Sequence, residues 1–206
     1  LRKSVHNKPI IAVITAGSDV DVDAIAPYAD AIIMAWYPGE QGGNALADII
    51  FGDVSPSGHL PVTFYKSIND VPDFSDYSMK GRTYRYYDGP VQYPFGFGLS
   101  YTTFAYQQIE GPKNSYKATD TITVSLAVKN TGQMDGDEVM QAYIEYPKLN
   151  RMPFKELKAF KRISIIKGGK QAVTIKIPVR DLQKWVLATG NWKVYTGDYK
   201  LVLGDN

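Results

Sequence analysis

Apolar and polar residues alternate from Phe104 onwards, and this period of two constrains the fold more than any other feature of the sequence. It is clearest in residues 121–130, where every second position from Ile122 to Val128 is Ile, Val or Leu. Further segments of this kind are 138–146, 157–166, 172–177 and 199–203. Turns that contain Gly separate them at 130–132, 167–169 and 196–198. About seven short antiparallel strands in ~100 residues predict an immunoglobulin-like β-sandwich.

The first half of the chain is organised around a strand, a tight loop and a helix. Residues 31–36 are apolar and predict a strand buried on both faces, which ends at Pro38 and three glycines. Apolar residues at helical spacing from Ala45 to Ile50 then predict a helix that ends at Gly52. Ligands gather at the carboxyl ends of strands in open α/β sheets, so this loop is the first place to look for a site.

A second β-branched run at 10–15 predicts another buried strand, and its short crossover to 31–36 predicts a parallel pair. Residues 60–65 predict one more strand. So few strands and two short helices cannot cover each other's faces. Residues 1–65 are therefore expected to be the C-terminal part of an α/β sandwich domain that begins upstream of residue 1.

Residues 66–103 are rich in Tyr, Gly, Pro and Asp and show little periodicity, which is typical of segments that are functional or wrapped over another domain. Aromatic rings can stack on sugar faces, although packing of the linker against its neighbours is the favoured interpretation for most of these tyrosines. The predicted fold class is thus α/β followed by all-β. The expected boundaries are 1–65, a linker at 66–103, and a β-sandwich at 104–206.

Composition excludes several classes of function. There is no cysteine, which excludes disulfides, thiol catalysis and Cys-based metal sites. Residues 1–103 hold 7 Lys/Arg and 11 Asp/Glu, whereas residues 104–206 hold 16 and 10, so the two halves carry −4 and +6. The lysines of the basic half are interleaved with apolar residues, which indicates solvated strand faces and argues against nucleic-acid binding.

Two groups of potential metal ligands have simpler interpretations. Asp19, Asp21 and Asp23 alternate as in a calcium loop, but the required Gly and later Glu are missing. An acidic N-cap before a helix at 24–28 is favoured instead. His6 and His59 are the only histidines, and no metal or triad spacing surrounds them.

Four segments resemble glycoside hydrolase family 3: WYPGEQGG at 36–43, FGDVSPSGHLPVTF at 51–64, MKGRTYRYY at 79–87 and YPFGFGLSYTTF at 93–104. Beyond residue 104 the chain resembles the fibronectin type III-like domain that often ends these enzymes. The resemblance implies a retaining, exo-acting β-glycosidase that removes terminal β-linked glucose or xylose through a covalent glycosyl-enzyme, without a cofactor. In this family the nucleophilic Asp lies on an N-terminal barrel, and in many members the acid/base Glu precedes the strand matched by 10–15. Neither catalytic residue, and no metal site, is therefore expected in this chain.

Four residues are the predicted contacts with substrate or with the missing barrel: Trp36, Glu40, Arg82 and Tyr84. For Glu40 the favoured alternative is a structural carboxylate that accepts backbone N–H bonds near the helix start. Arg82 and Arg85 flank Thr83-Tyr84 and could clamp a carboxylate of the partner domain, which is favoured, or touch a sugar hydroxyl.

The expected partners are a β-linked oligosaccharide or glycoside and the N-terminal barrel, with no nucleic acid and no membrane; a homodimer is compatible with this prediction. The resemblance favours a secreted or periplasmic location. The alternative hypothesis is a non-catalytic module that binds carbohydrate or protein. Trp185 and Trp192 could then bind polysaccharide if exposed, although burial between the sheets is the usual case.

Overall fold

A computed structural model describes residue 4 and residues 7–204, which leaves His6 outside the described residues. Within these residues the chain forms twelve strands and two α-helices. The strands are β1 Ile11–Ile14, β2 Ala31–Met34, β3 Phe64–Tyr65, β4 Val91–Tyr93, β5 Phe104–Glu110, β6 Thr121–Asn130, β7 Gly136–Glu145, β8 Lys155–Ile165, β9 Lys170–Pro178, β10 Lys184–Val186, β11 Asn191–Lys193 and β12 Lys200–Gly204. The helices are α1 Gly42–Phe51 and α2 Thr83–Tyr86, and 3₁₀ turns lie at Ala26–Tyr28, Ile68–Asp70 and Val179–Leu182.

The second half is a sandwich of two antiparallel three-stranded sheets, in the orders β5-β6-β9 and β12-β7-β8. The inward side chains of β6, β7, β8 and β9 form its core, and Val128, Met140 and Ala142 are fully buried. The predicted sandwich is therefore confirmed, with strand ends within about two residues of those expected. The hairpin β10–β11 pairs only with itself.

The first half contains the predicted strand, loop and helix. β1 and β2 form a parallel pair, and α1 ends at Gly52, which adopts the left-handed conformation (φ 82°). The expectation that the run at 10–15 is a buried strand is wrong, because Ile11 and Val13 of β1 are 39% and 41% exposed. The expected burial of 31–36 on both faces is wrong too, because Ala31 is exposed and the other residues of β2 are only half-buried. Only two strands make this sheet in the described part of the chain, and the exposed side chains of Ile11 and Val13 mark a face without a covering layer.

The third predicted strand differs from expectation in length. Only Phe64 and Tyr65 are in strand conformation, and they pair antiparallel with β4. Pro61 lacks a backbone N–H and cannot extend the ladder. Leu60 is held instead by two backbone hydrogen bonds, with Phe97 and Gly96.

The expected acidic N-cap at 24–28 is also corrected by the structure. This segment forms a 3₁₀ turn at Ala26–Tyr28 without a side-chain cap. The carboxylate of Asp23 instead accepts hydrogen bonds from Lys66, at 2.8 Å, and from Gln92. These bonds, of which that from Lys66 is the strongest influence, lower the pKa of Asp23 and tie the segment after β1 to the β3–β4 ladder.

The expectation that Trp185 and Trp192 are buried between the sheets is wrong. They lie opposite each other on the hairpin β10–β11 and are 49% and 59% exposed. Their position outside the two main sheets explains the difference, since period-two patterning does not show which face of a hairpin turns to the core.

Candidate functional site

The loop after β2 is the first part of the candidate site. Trp36 adopts φ 54°, a left-handed conformation that a bulky residue rarely takes. The ring of Tyr37 lies against Gly17, where a Cβ would meet it at 2.8 Å, so the loops that follow β1 and β2 are in contact. The backbone of this loop thus holds the half-buried Trp36 in a conformation that its sequence alone does not favour.

Glu40 lies in the same loop and is exposed. α1 has Gln41 as its N-cap, and no side chain accepts a capping hydrogen bond there. The structural interpretation of Glu40 as a cap for this helix therefore gains no support from the geometry. Glu40 is open to solvent in the loop that also contains Trp36.

Arg82 organises the linker rather than reaching outwards. Its Nη2 donates to the carbonyl oxygens of Asp73 at 2.6 Å, Asp76 at 3.0 Å and Pro72 at 3.2 Å. Asp73 and Asp76 accept further bonds from Ser75 and Ser78. A guanidinium that binds three carbonyls fixes the shape of an exposed loop that would otherwise have few internal contacts.

Tyr84 lies at the junction between the linker and the sandwich. Its ring stacks on Phe95, with centroids 4.0 Å apart. Both rings also pack nearly at right angles against the ring of Tyr143 on β7. The Tyr84 hydroxyl accepts a 3.0 Å hydrogen bond from the backbone N–H of Leu157 on β8. Burial raises the pKa of Tyr84, so the phenol stays neutral at this junction.

His59 belongs to the same junction. Its Nδ1 lies 2.6 Å from the carbonyl oxygen of Gly96, which assigns the proton to Nδ1. Nε2 of Gln141 donates to the same carbonyl at 3.0 Å, and Oε1 of Gln141 accepts from Tyr143. His59 therefore has a structural role near the contact between the two halves. Its hydrogen bond with Gly96 explains its position without a metal or a catalytic triad.

Glu156 is the centre of a buried ionic cluster that joins three parts of the chain. Its carboxylate binds Arg85 of α2 at 2.7 Å and Lys158 of β8 at 2.7 Å, and it also binds Lys184 of β10. The Tyr146 hydroxyl donates to it at 2.6 Å. Arg85 therefore binds a carboxylate of this chain's own sandwich, and the expected arginine clamp on a carboxylate of the partner domain stays a prediction.

The electrostatics of this cluster favour the ionised carboxylate. Burial alone raises the pKa of Glu156, but hydrogen bonds from Lys158, Lys184 and Tyr146 and the charge of Lys158 outweigh it and lower the pKa to about 2. Burial lowers the pKa of Lys184, and Glu156 opposes this. Three cations surround one anion, so the cluster is positive and depends on Glu156 remaining charged.

The structure brings Tyr84 and Arg85 together with the sandwich, and among the described residues no hydrogen bond, ion pair or ring contact joins either of them to Trp36. Sequence reasoning missed Glu156, because a single Glu in a strand rich in Lys gives no signal until its neighbours from α2 and β10 are known. The described residues contain no group of three His, Asp or Glu side chains able to hold a metal. Among the same residues, no helix is long and apolar enough to cross a membrane.

Two family models match the chain. The glycosyl hydrolase family 3 C-terminal domain matches residues 2–101, and the fibronectin type III-like domain matches residues 138–206. A xylan 1,4-beta-xylosidase of Xylanibacter ruminicola is 41% identical over 97% of this chain and 23% of its own length. A periplasmic beta-glucosidase of Salmonella typhimurium is 35% identical over 86% of the chain and 25% of its own length.

The solved structures that resemble this chain include further proteins named beta-glucosidase. A beta-glucosidase from Kluyveromyces marxianus superposes with a TM-score of 0.85 and 33% identity, over 97% of this chain and 25% of that one. Beta-glucosidase 3B from Thermotoga neapolitana, solved with glycerol, gives 0.82 and 34%, over 97% and 30%. The chain spans about a quarter of the length of its curated relatives.

In this chain a match to the C-terminal domain of glycosyl hydrolase family 3 is thus followed by a match to a fibronectin type III-like domain. The chain belongs to glycoside hydrolase family 3.

Proposed function

We propose that this chain is the C-terminal portion of a retaining, exo-acting β-glycosidase that hydrolyses terminal β-linked glucose or xylose. The observation that carries the proposal is the match of nearly the whole chain to proteins named β-xylosidase and β-glucosidase. Hydrolysis with retention needs two carboxyl groups ~5–5.5 Å apart. Both belong, in this proposal, to a part of the enzyme upstream of residue 1, and this chain supplies one wall of the site.

The residues that we propose to touch the substrate or the barrel are Trp36 and Glu40. Trp36 is in a strained backbone conformation, which is characteristic of functional loops, and Glu40 is an exposed residue of the same loop. Arg82 and Tyr84 would act indirectly, by holding the neighbouring segments in position. Arg82 shapes the exposed loop at 72–82, and Tyr84 fixes that loop's helix to the sandwich.

The remaining partners follow from the same proposal. The bare face of β1 and β2 would be covered by the upstream part of the α/β sandwich domain, and the substrate would be a β-linked glycoside. A secreted or periplasmic location is supported by the name of the Salmonella typhimurium relative. A homodimer remains a proposal that the oligomeric state in solution tests.

Division of the enzyme tests the assignment of the catalytic pair. Hydrolysis of aryl β-glucosides and aryl β-xylosides is measured for the 206-residue chain, for a barrel fragment and for their mixture. We expect activity only when the barrel and the chain are together. Hydrolysis by the chain alone would contradict the proposal, and the ratio of xyloside to glucoside turnover by the complete enzyme would identify the preferred sugar.

Trp36→Ala in the full-length enzyme tests whether the loop after β2 forms one side of the active site. We expect kcat/KM to fall at least tenfold with an unchanged unfolding temperature. Phe51→Ala is the matched control, because Phe51 is an aromatic residue of the same half that is 82% exposed at the end of α1. Equal effects of both substitutions on kcat/KM would show that Trp36 does not belong to the site.

The second candidate function is a non-catalytic carbohydrate-binding module. One observation favours it, namely the exposed pair of tryptophans on β10–β11. Binding of a polysaccharide by the chain without hydrolysis would support this role, and it can coexist with the enzymatic one.

A further inference from the structure

The helix α1 has few attachments to the rest of the described chain, although it directly follows the loop that carries Trp36 and Glu40. Of its ten residues only Gly42, the first, is buried, and the other nine are half-buried or exposed. A helix of this length is marginally stable without tertiary contacts. The groups that hold its two ends therefore decide where it lies.

The first residue of α1 packs against the loop that follows β2. A Cβ at Gly42 would meet Cβ and Cγ of Pro38 at 2.6 and 2.7 Å, so the Gly42 backbone lies directly against the proline ring. This ring is closed onto its own backbone and cannot rotate away as a flexible side chain would. The Gly42 N–H also donates to the carbonyl oxygen of Gly39 at 3.2 Å. The start of α1 therefore fixes the loop backbone midway between Trp36 and Glu40.

The last turn of α1 is held by Tyr101, which lies at the end of the linker. The Tyr101 hydroxyl donates to the carbonyl oxygen of Ile49 at 2.8 Å. Among the described residues, this is the only hydrogen bond that α1 receives from beyond the loops that flank it. One hydroxyl group is thus the directional contact that locates this end of the helix.

Tyr101 is in turn attached to the sandwich. Its backbone N–H donates to the Ser55 hydroxyl at 3.0 Å, and the hydroxyl of the next residue, Thr102, donates to the buried Asn130 of β6 at 2.6 Å. An α-helix of ten residues is a stiff rod about 15 Å long, so a shift at one end is passed to the other. A continuous series of contacts therefore leads from the sandwich through α1 to Pro38.

We propose that α1 positions the loop at 35–41 for catalysis, and that Gly42 and Tyr101 are the positioning residues at its two ends. Gly42 allows the helix to begin directly against the Pro38 ring, and the Tyr101 hydroxyl fixes the helix relative to the sandwich. This role of α1 rests on the proposed place of Trp36 in the site. The experiments below distinguish a failure of that place from a failure of the positioning.

Two neighbouring glycines test the first end of the helix in the full-length enzyme. Ala is the better helix former, so Gly42→Ala and Gly43→Ala both favour α1, but only the first brings a Cβ against Pro38. A Cβ at Gly43 meets nothing within 4 Å, so Gly43→Ala is the matched control. Because small displacements of a site group are costly, Gly42→Ala should lower kcat/KM for an aryl β-glycoside about tenfold. Gly43→Ala should leave it unchanged.

Tyr101→Phe removes only the hydroxyl that holds the other end of the helix. Tyr199→Phe is the matched control, because the Tyr199 hydroxyl donates to the carbonyl oxygen of Tyr195 in the sandwich at the same distance of 2.8 Å. Each variant loses one hydrogen bond of the same kind, so the two unfolding temperatures should fall by similar amounts. Only Tyr101→Phe should also lower kcat/KM, by about threefold, because the freed helix end lets the loop shift.

A double-mutant cycle shows whether the effect passes through Trp36. In the Trp36→Ala background the effect of Gly42→Ala on kcat/KM should shrink from about tenfold to about twofold or less, because the side chain that it displaces is gone. A general loss of structure would instead lower kcat/KM by the same factor in both backgrounds.

The fluorescence of Trp36 gives a readout that needs no turnover. Trp185→Phe and Trp192→Phe, at two exposed positions, leave Trp36 as the only tryptophan of the 206-residue chain. Trp36 is half-buried, so its displacement by Gly42→Ala should increase quenching by acrylamide and shift its emission to longer wavelength. Gly43→Ala should change neither quantity.

Three results would overturn the proposal. They are equal kcat/KM and equal quenching in the two glycine variants, an undiminished effect of Gly42→Ala in the Trp36→Ala background, and equal kcat/KM in the two Tyr→Phe variants. If Gly42→Ala does not fold, the two Tyr→Phe variants decide. Failure of the proposed place of Trp36 looks different: Trp36→Ala would leave kcat/KM unchanged, while quenching would still separate the two glycine variants.

Discussion

The two halves of the chain bury their apolar residues very differently. Of the buried hydrophobic side chains among the described residues, only Val22 and Phe64 precede residue 104, and all others lie in the sandwich. The sheet β1–β2 leaves Ile11 and Val13 about two-fifths exposed, whereas the sandwich encloses a continuous core between two sheets. The first half therefore relies on neighbours for its burial, and the second half contains its own.

The difference shows how a dependent segment is held in place. The first half is attached to the sandwich by polar and aromatic contacts at the junction, through Tyr84, the carbonyl oxygen of Gly96 and Arg85. These contacts are specific in direction, whereas the core is not. The sandwich thus acts as the stable base on which the loop bearing Trp36 is assembled.

The largest expected effect contrasts two isoleucines in strands. Ile175→Ala, at 3% exposure in the sandwich core, should lower the free energy of unfolding by about 4 kcal/mol. Ile11→Ala, at 39% exposure on β1, should cost less than about 1 kcal/mol in the same chain. Urea denaturation followed by circular dichroism measures both. Equal costs would show that the first half has a closed core of its own and would end the comparison.

The second prediction breaks the junction electrostatically. Glu156→Gln leaves Arg85, Lys158 and Lys184 without their anion, so the free energy of unfolding should fall by about 3 kcal/mol. Glu145→Gln is the matched control, because its ion pair with Lys200 is exposed and should contribute less than about 0.5 kcal/mol. A Glu156→Gln variant as stable as the control would mean that the cluster does not join the two halves.

The third prediction compares two glycines of positive φ. Gly96 (φ 84°) lies at the junction, where a Cβ would collide with the Tyr143 hydroxyl and with Gln141, whereas Gly52 (φ 82°) has open space around it. Gly52→Ala should cost about 1 kcal/mol, from backbone strain alone. Gly96→Ala should cost about 2 kcal/mol or more, because strain and collision add. Thermal unfolding of the two variants isolates the collision, and similar losses would contradict the close approach of the halves.

The smallest effect is a dependence on pH. The pKa of Glu156 is lowered from 4.5 to about 2 on folding, so its contribution is complete above the unfolded pKa and is lost as pH falls towards 2. Stability should fall by about 1 kcal/mol between pH 6 and pH 4 through this group. The Glu156→Gln variant should lack this part of the decline in urea titrations at each pH. A parallel decline in parent and variant would assign it to other carboxylates.

Much of the fold could be predicted because it depends on local patterns. The alternation at 121–130 identified β6 to the residue, and Gly52 marked the end of α1. The predicted third strand of the first half was too long. The prediction treated 60–65 as one continuous strand, although Pro61 interrupts it. The candidate loop was located by its glycines, but the left-handed φ of Trp36 has no signature in the sequence.

The sequence by itself determined the main strands of the sandwich, the strand, loop and helix of the first half, and the family, because periodicity, turn residues and motif segments are all properties of neighbouring positions. Only the tertiary structure decided which groups meet. Glu156 gained its partners from α2, β8 and β10, and the face of the hairpin anchored by Lys184 left the two tryptophans outside. Such pairings join residues that are far apart in the chain, and their energy comes from burial and charge at sites that form only when the halves fold together.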